Sequence, residues 1–413
     1  MHQLGKQSSI LDPTIKAIKY CSNLRKITFQ VTHNIDDRDS FLRFAESLWT
    51  IIPIQSNLTE LVINRHLYSR YSGLRKDFER LLMVESSKFS AIPGDPSISL
   101  SITAGGGANP NYSPPYLWAD SCRILVGFVN SLTHAIFSIT ISSTLVCEDI
   151  ADLFRGLNIM PNLQEFKLLA VFNYRTFFNK QLVTTFLQQH ANSLEVLYIK
   201  PELSTSRYAH VDFGTYPTWL VHEPPEYTQD STFFTQLFLP RLHTLEIGLQ
   251  EIRAEDKMPL LPDLYHVAPM LTKLVLSGVK LTTKTLSLIL NGLAKMNNEI
   301  ILEELSYTCN TISPYIFDFL SKKLPRLISL AVEYASTTVS TDADDSSSFY
   351  TSMKTRQYPL WPVRYLRLSF AHSCGQGHPC KPIMVAVASV ISPDVVLDTR
   401  WHCSCIPLHS HVF

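Results

Sequence analysis

The chain has 413 residues, 45% of them hydrophobic, and its 36 lysines and arginines are balanced by 36 aspartates and glutamates. That balance removes the long-range positive field that gathers nucleic acid or an anionic membrane, and the longest nearly unbroken apolar run, IMVAVASVI at 383–391, falls far short of the ~20 residues of a bilayer crossing. The first twenty residues hold no apolar block of the length a secretory signal requires, so the expectation is an intracellular protein, cytoplasmic or nuclear, with reduced cysteines and neither nucleic acid nor membrane as partner.

Taken in chain order, the apolar residues alternate between two periods. NLRKITF places Leu24, Ile27 and Phe29 at the spacing apolar, two variable, apolar, one variable, apolar, which predicts a short strand with one buried face. The segment DRDSFLRFAESLWTII then carries apolar residues three and four apart, as a helix face does. The strand pattern returns in NLTELVI (Leu58, Leu61, Ile63), followed by a helix in SGLRKDFERLLMVE, and more weakly in SISLSI (Ile98, Leu100, Ile102) and AIFSITI (Ile136, Ile139, Ile141). CEDIADLFRGL reads as a helix, NLQEFKL (Leu163, Phe166, Leu168) as a strand, NKQLVTTFLQQH as a helix and SLEVLYI (Leu194, Leu197, Ile199) as a strand.

After residue 231 come the strands RLHTLEI (Leu242, Leu245, Ile247) and MLTKLVL (Leu271, Leu274, Leu276), the helix TTKTLSLILNGLAKM, the strand ILEELSY (Leu302, Leu305, Tyr307) and the helix SPYIFDFLSKKL. RLISLAV (Leu327, Leu330, Val332) and PVRYLRL (Val363, Leu366, Leu368) follow, and DVVLDT (Val395, Leu397) is a weak last copy. From Leu163 onward the first positions are spaced 31, 48, 29, 31, 25 and 36 residues apart, a period near thirty stretched by insertions. Three inserts stand out: 104–121 and 201–231, rich in Gly, Pro and aromatic residues, and the polar, acidic 335–352, which is expected to be mobile.

One strand plus one helix cannot bury both of its apolar faces, so such units stack on their neighbours into a solenoid. With these copies in view, the chain resembles a leucine-rich repeat protein, and LTKLVLSGVKLTTKTLSLILNGL is close to that family's long, helix-bearing repeat. CSNLRKITF, MPNLQEFKL and LPRLHTLEI are similar to the F-box-type leucine-rich repeat proteins of fungi. The resemblance implies an α/β fold of about 10–12 irregular repeats in one domain over 1–413, with a curved parallel sheet on the concave side and helices on the convex side. It also implies a substrate-recognition subunit of an SCF-type ubiquitin ligase, or a shortened relic of one, because the first repeat begins at Leu24 and leaves no room for an F-box ahead of it. The family's usual Asn or Cys after the strand is matched only by Asn310.

Signatures of catalysis are missing: there is no Gly-x-Ser-x-Gly, no His-Glu-x-x-His and no Gly-x-Gly-x-x-Gly, so no enzymatic activity is expected. Gly105, Gly106 and Gly107 lack the Gly-Lys-Ser/Thr of a phosphate loop, and Asp342, Asp344 and Asp345 lack the glycine and distal glutamate of a calcium loop. Of the eight cysteines, Cys21, Cys122, Cys147 and Cys309 read as small core residues. Cys374, Cys380, Cys403 and Cys405 cluster near the C-terminus with several histidines, and Cys374 and Cys403 each lie six residues beyond a candidate strand position, Leu368 and Leu397. Equal offsets on adjacent coils would bring them together as N/S ligands for zinc, and an enzyme or metalloprotein built on that cluster is the alternative to a scaffold with no cofactor.

Recognition in a repeat sheet falls to the variable residues between the buried ones. Those positions nominate Lys167, Tyr198, Lys200, Glu246, Lys273, Glu333 and Arg367 as a face for a protein partner, on a chain expected to be monomeric apart from that partner.

Overall fold

The computed structural model describes residues 16–17, 20–21, 25–31, 59–66, 98–105, 126–127, 129–130, 132–143, 151–170, 180–201, 237–248, 264–294, 300–337, 346–370, 380–391 and 394–397. The chain, expected as one domain, groups into two compact units, Met1–Tyr216 and Pro217–Phe413. The first holds six parallel strands in chain order: β1 (Lys26–Val31), β2 (Glu60–His66), β3 (Ile98–Gly105), β4 (Ile136–Ser143), β5 (Glu165–Ala170) and β6 (Val196–Pro201). Two helices are described in it, α1 (Ala151–Gly156) and α2 (Lys180–Gln189). The second holds β7 (Thr244–Gly248), β8 (Lys273–Leu281), β9 (Glu304–Ile312), β10 (Ser329–Thr337), β11 (Tyr365–Phe370) and β12 (Val396–Leu397), again parallel and in order. Its helices are α3 (Leu264–Val267), α4 (Thr283–Gly292), α5 (Pro314–Lys323), α6 (Ser346–Lys354) and α7 (Cys380–Ile391).

Each unit is therefore α/β with an all-parallel sheet, as the two-period pattern predicts, since parallel neighbours need a crossover between them. The repeated apolar positions do the burying. Leu163, Phe166 and Leu168, Leu194, Leu197 and Ile199, and Leu242, Leu245 and Ile247 are all fully covered, and the same holds for Leu302, Leu327 and Leu330. The weaker copies also face inward, with Ile98, Leu100 and Ile102 in β3 and Ile136, Ile139 and Ile141 in β4. The last copy is the least covered: β12 has two residues, and Val395 and Leu397 are only half-buried, with Val396 exposed between them.

The prolines ahead of the first leucines have a local cause. Met160-Pro161-Asn162-Leu163, Leu239-Pro240-Arg241-Leu242, Ala268-Pro269-Met270-Leu271 and Leu324-Pro325-Arg326-Leu327 each close a turn by an N–H of the fourth residue donating to the carbonyl of the first at 3.1–3.2 Å. Proline at the second position presets the φ that such a turn needs. A second device then sets strand register: two successive amides donate to one carbonyl of the preceding coil, as Glu195 and Val196 do to Gln164, Thr272 and Lys273 to His243, and Glu303 and Glu304 to Thr272. At the helix starts, the Thr282 hydroxyl accepts from the Thr285 amide at 3.1 Å, and Ser313 precedes Pro314 at the first position of α5.

Two expectations change. Part of the insert at 335–352 is regular structure: β10 runs to Thr337, and α6 begins at Ser346, where Phe349 and Met353, four residues apart, are completely buried. That spacing puts both on one helix face, a signal hidden by the serines around them. The inserts 106–121 and 202–231 lie outside the described residues. Asn310 is exposed, and its carbonyl accepts from the Ser336 hydroxyl at 3.2 Å. Cys21 is exposed rather than in the core, whereas Cys309 is buried as expected, and burial pushes its thiol up to about 12. Within β8 the register with β9 shifts between Leu276 and Lys280 and Gly278 takes a φ of 86°, a conformation glycine adopts without strain.

In the first unit, Asn130 ties α1 to the coil before it: its side-chain amide donates to the Gly156 carbonyl at 2.8 Å, and its oxygen accepts from the Asn158 amide at 2.7 Å. A Cβ at Gly156 would sit 2.7 Å from Val126 Cγ1, and valine is stiff at χ1. Gly156→Ala should therefore destabilise the unit by about 1–3 kcal/mol, measured as a lowered urea midpoint at unchanged slope.

Candidate interaction surface

On β5 the burial alternates residue by residue, so Phe166, Leu168 and Ala170 point to the core while Glu165, Lys167 and Leu169 stand on the opposite, open face. Strand register carries this alternation across the first unit in three rows. One runs Lys26, Glu60, Ser99, Ser138, Glu165, Val196; the next Thr28, Val62, Ser101, Thr140, Lys167, Tyr198; the third Gln30, Asn64, Thr103, Ser142, Leu169, Lys200. Lys167, Tyr198 and Lys200 thus share one face on two adjacent strands, as the spacing predicts.

The charges there are paired, once across strands and once along a strand. Lys26 Nζ meets Glu60 Oε1 at 2.5 Å, and Lys167 Nζ meets Glu165 Oε1 at 2.7 Å. The buried Ser138 hydroxyl donates to the other Glu165 oxygen at 2.6 Å. Half-burial is the largest influence on the Glu165 carboxyl and acts upward. The hydrogen bonds from Lys167 and Ser138, with the Lys167 charge, outweigh it, so its pKa is lowered. Glu165 accordingly stays ionised through the neutral range and holds Lys167 in place.

The open face of the second unit is built the same way. Its rows are Thr244, Lys273, Glu304, Ser329, Tyr365, Val396, then Glu246, Val275, Ser306, Ala331, Arg367, and, beyond the bulge, Lys280, Thr308, Glu333, Ser369. Lys273 Nζ pairs with Glu304 Oε2 at 2.7 Å, and the Thr308 hydroxyl donates to Glu333 Oε2 at 3.3 Å. Glu246 and Lys273 are diagonal neighbours on adjacent strands, as are Glu333 and Arg367. Tyr365 and Val396 end the first row as an exposed, register-matched pair.

Two features of these faces escaped sequence reasoning. One is the block of hydroxyls on β3 and β4: Ser99 and Ser101 beside Ser138 and Thr140 in register. The alternating serines of SISLSIT and SITISS were its signal, visible only once both weak copies count as strands. The other is Glu165, which anchors Lys167 and hides at the first strand position.

The register of the last two strands differs from the one behind the cysteine offsets. Register pairs Leu397 with Leu366, not with Leu368, so Cys374 lies eight residues beyond its paired position and Cys403 six. Cys380 is the first residue of α7, and Cys374, Cys403 and Cys405 lie outside the described residues. Among the described residues no helix is long and apolar enough to cross a membrane. No protein-family model matches the chain, and no curated protein matches it.

Proposed function

We propose that the chain is a protein-interaction scaffold of the leucine-rich repeat kind, binding its partner through the open sheet faces. The observation that supports this reading is the division of labour along the strands: buried apolar residues alternate in register with charged, hydroxyl and aromatic residues, several of them joined by ion pairs or hydrogen bonds. Such a face is pre-ordered, so little side-chain freedom is lost when a partner covers it. Tyr198 beside Lys167, and Arg367 diagonal to Glu333, are residue types that dominate binding energy when covered. The resemblance to F-box-type proteins makes the proposed partner a protein selected for ubiquitination, with the scaffold monomeric apart from it and working in the cytoplasm or nucleus, without a cofactor or chemistry of its own.

The test is quantitative affinity capture with wild type, with Lys167, Tyr198 and Lys200 replaced by alanine, and with Glu246, Lys273 and Arg367 replaced by alanine. A specific partner should be lost at least tenfold in one of the two variants, the equivalent of one hot-spot residue or about 1.4 kcal/mol. Equal recovery from all three proteins removes the open faces from consideration.

A further inference from the structure

His190 lies at the end of α2 and is 2% exposed. Its Nδ1–H donates to the Phe186 carbonyl at 2.7 Å, one helical turn back, and its Nε2 accepts from the Met160 amide at 2.9 Å. The two bonds together require the neutral ring with the proton on Nδ1, because Nε2 must offer a lone pair. Met160 opens the proline turn that leads into β5, the strand of Glu165 and Lys167. The His190 carbonyl accepts from the Ser193 and Leu194 amides and starts the turn that leads into β6, the strand of Tyr198 and Lys200. One imidazole therefore joins two successive coils at the point where each is about to become a strand.

We propose that His190 is a pH-operated stitch between these coils, closed when its ring is neutral and opened when acid protonates Nε2. A protonated Nε2 faces the Met160 N–H donor to donor, and at 2% exposure bulk solvent does not reach the ring to take up the displaced bond. The charged residues on the surrounding elements are, among the described residues, Arg155 on α1, Lys180 at the start of α2, Glu165 and Lys167 on β5, Glu195 ahead of β6 and Lys200 on β6. Glu165 and Lys167 stand on the open face, across the sheet from the aromatic core that holds the ring. Burial lowers the His190 pKa, and the hydrogen bond to the Phe186 carbonyl, which raises it, only partly offsets this. The sign follows: folded titration lies below the ordinary value of about 6.5, so the closed state is favoured fully above that value and loses its advantage as pH falls from there through the folded pKa. The Glu165 carboxyl is lowered in its turn, so it is still charged as pH begins to fall below the ordinary histidine value, and the first stage of opening leaves the Lys167 pair in place.

Amide exchange tests this on the intact chain. The protection factor of the Met160 amide should fall at least tenfold between about pH 7.5 and about pH 5, and His190→Gln, which can accept and donate at the same places without titrating, should hold it within twofold. A pH-independent Met160 amide in wild type, an equal fall in the glutamine variant, or a His190 imidazole titrating at its ordinary value by NMR would each overturn the proposal. If the variant does not fold, the wild-type imidazole titration and Met160 exchange decide alone. None of these readouts involves a partner, so failure here leaves the binding role of the open face standing.

Discussion

Phe186→Ala should cost the first unit about 3–5 kcal/mol, among the largest losses available to a single substitution there. Phe186 is 1% exposed and sits at the centre of an aromatic cluster, its ring centroid 5.2 Å from Phe154 on α1, 5.3 Å from Phe166 on β5 and 4.4 Å from His190. Truncation removes apolar area and leaves a cavity against three elements, one of them a sheet strand that cannot move inward without breaking its ladder. Collapse is thus limited, which is what sends such costs toward the upper end of the range. Repeat coils contact mainly their neighbours, so the loss should appear as early exchange of amides in α1, β5 and α2, at lower urea than for β2 and β3. Phe186→Leu keeps most of the volume and should cost about 1 kcal/mol. A loss from Phe186→Ala no greater than that from Ile159→Ala, whose side chain is exposed, would mean that the cluster is not where this unit holds its core.

The alternation that buries Phe186 and Phe166 was legible in the sequence because it is written in the two simplest codes, period two on strands and three-to-four on helices. NKQLVTTFLQQH and NLQEFKL need no tertiary information to be read as a helix and a strand. What the sequence withheld depends on pairing between residues far apart in the chain. Ser138 looks like any strand serine until register sets it beside Glu165, and Leu397 looks equivalent to Leu368 until register assigns it to Leu366. His190 reads in sequence only as the end of a helix, since its role comes from an amide thirty residues earlier. The helix α6 was missed for a different reason. Its core contacts rest on Phe349 and Met353 alone in a run of serines, so composition outweighed period.

Asp318→Ala should cost the second unit about 2–3 kcal/mol, because Asp318 is the acceptor on which three elements converge. The Arg356 Nε donates to its two oxygens at 3.1 and 3.0 Å, and the Tyr358 hydroxyl donates to Oδ1 at 2.5 Å. Arg356 also reaches back to the Ser352 carbonyl and hydroxyl at 2.5 and 2.7 Å, and its guanidinium lies 5.2 Å from the Tyr315 ring centroid. Asp318 thereby fixes α5 to the end of α6 and to the segment that runs into β11, where Trp361 donates to the Leu324 carbonyl at 3.0 Å. With the carboxylate gone, a guanidinium that is 16% exposed loses its counter-charge and the phenol loses its acceptor. The Asp318 side chain keeps 31% exposure, so water takes up part of the deficit and the cost stays below the 3–5 kcal/mol of a fully buried broken pair. Asp318→Leu with Arg356→Met removes both charges together and should recover at least half of the loss in a double-mutant cycle. Alkali gives an independent check. Burial first, then the Asp318 hydrogen bond and charge, raise the Tyr358 phenol above its ordinary value of about 10. The unfolded chain therefore ionises first, and the stability this contributes is complete below about pH 10 and declines as pH rises beyond it. Tyr358→Phe should flatten that decline in urea midpoints measured from about pH 9 to about pH 11, and an unchanged slope would mean that Asp318 does not hold the phenol as the geometry indicates.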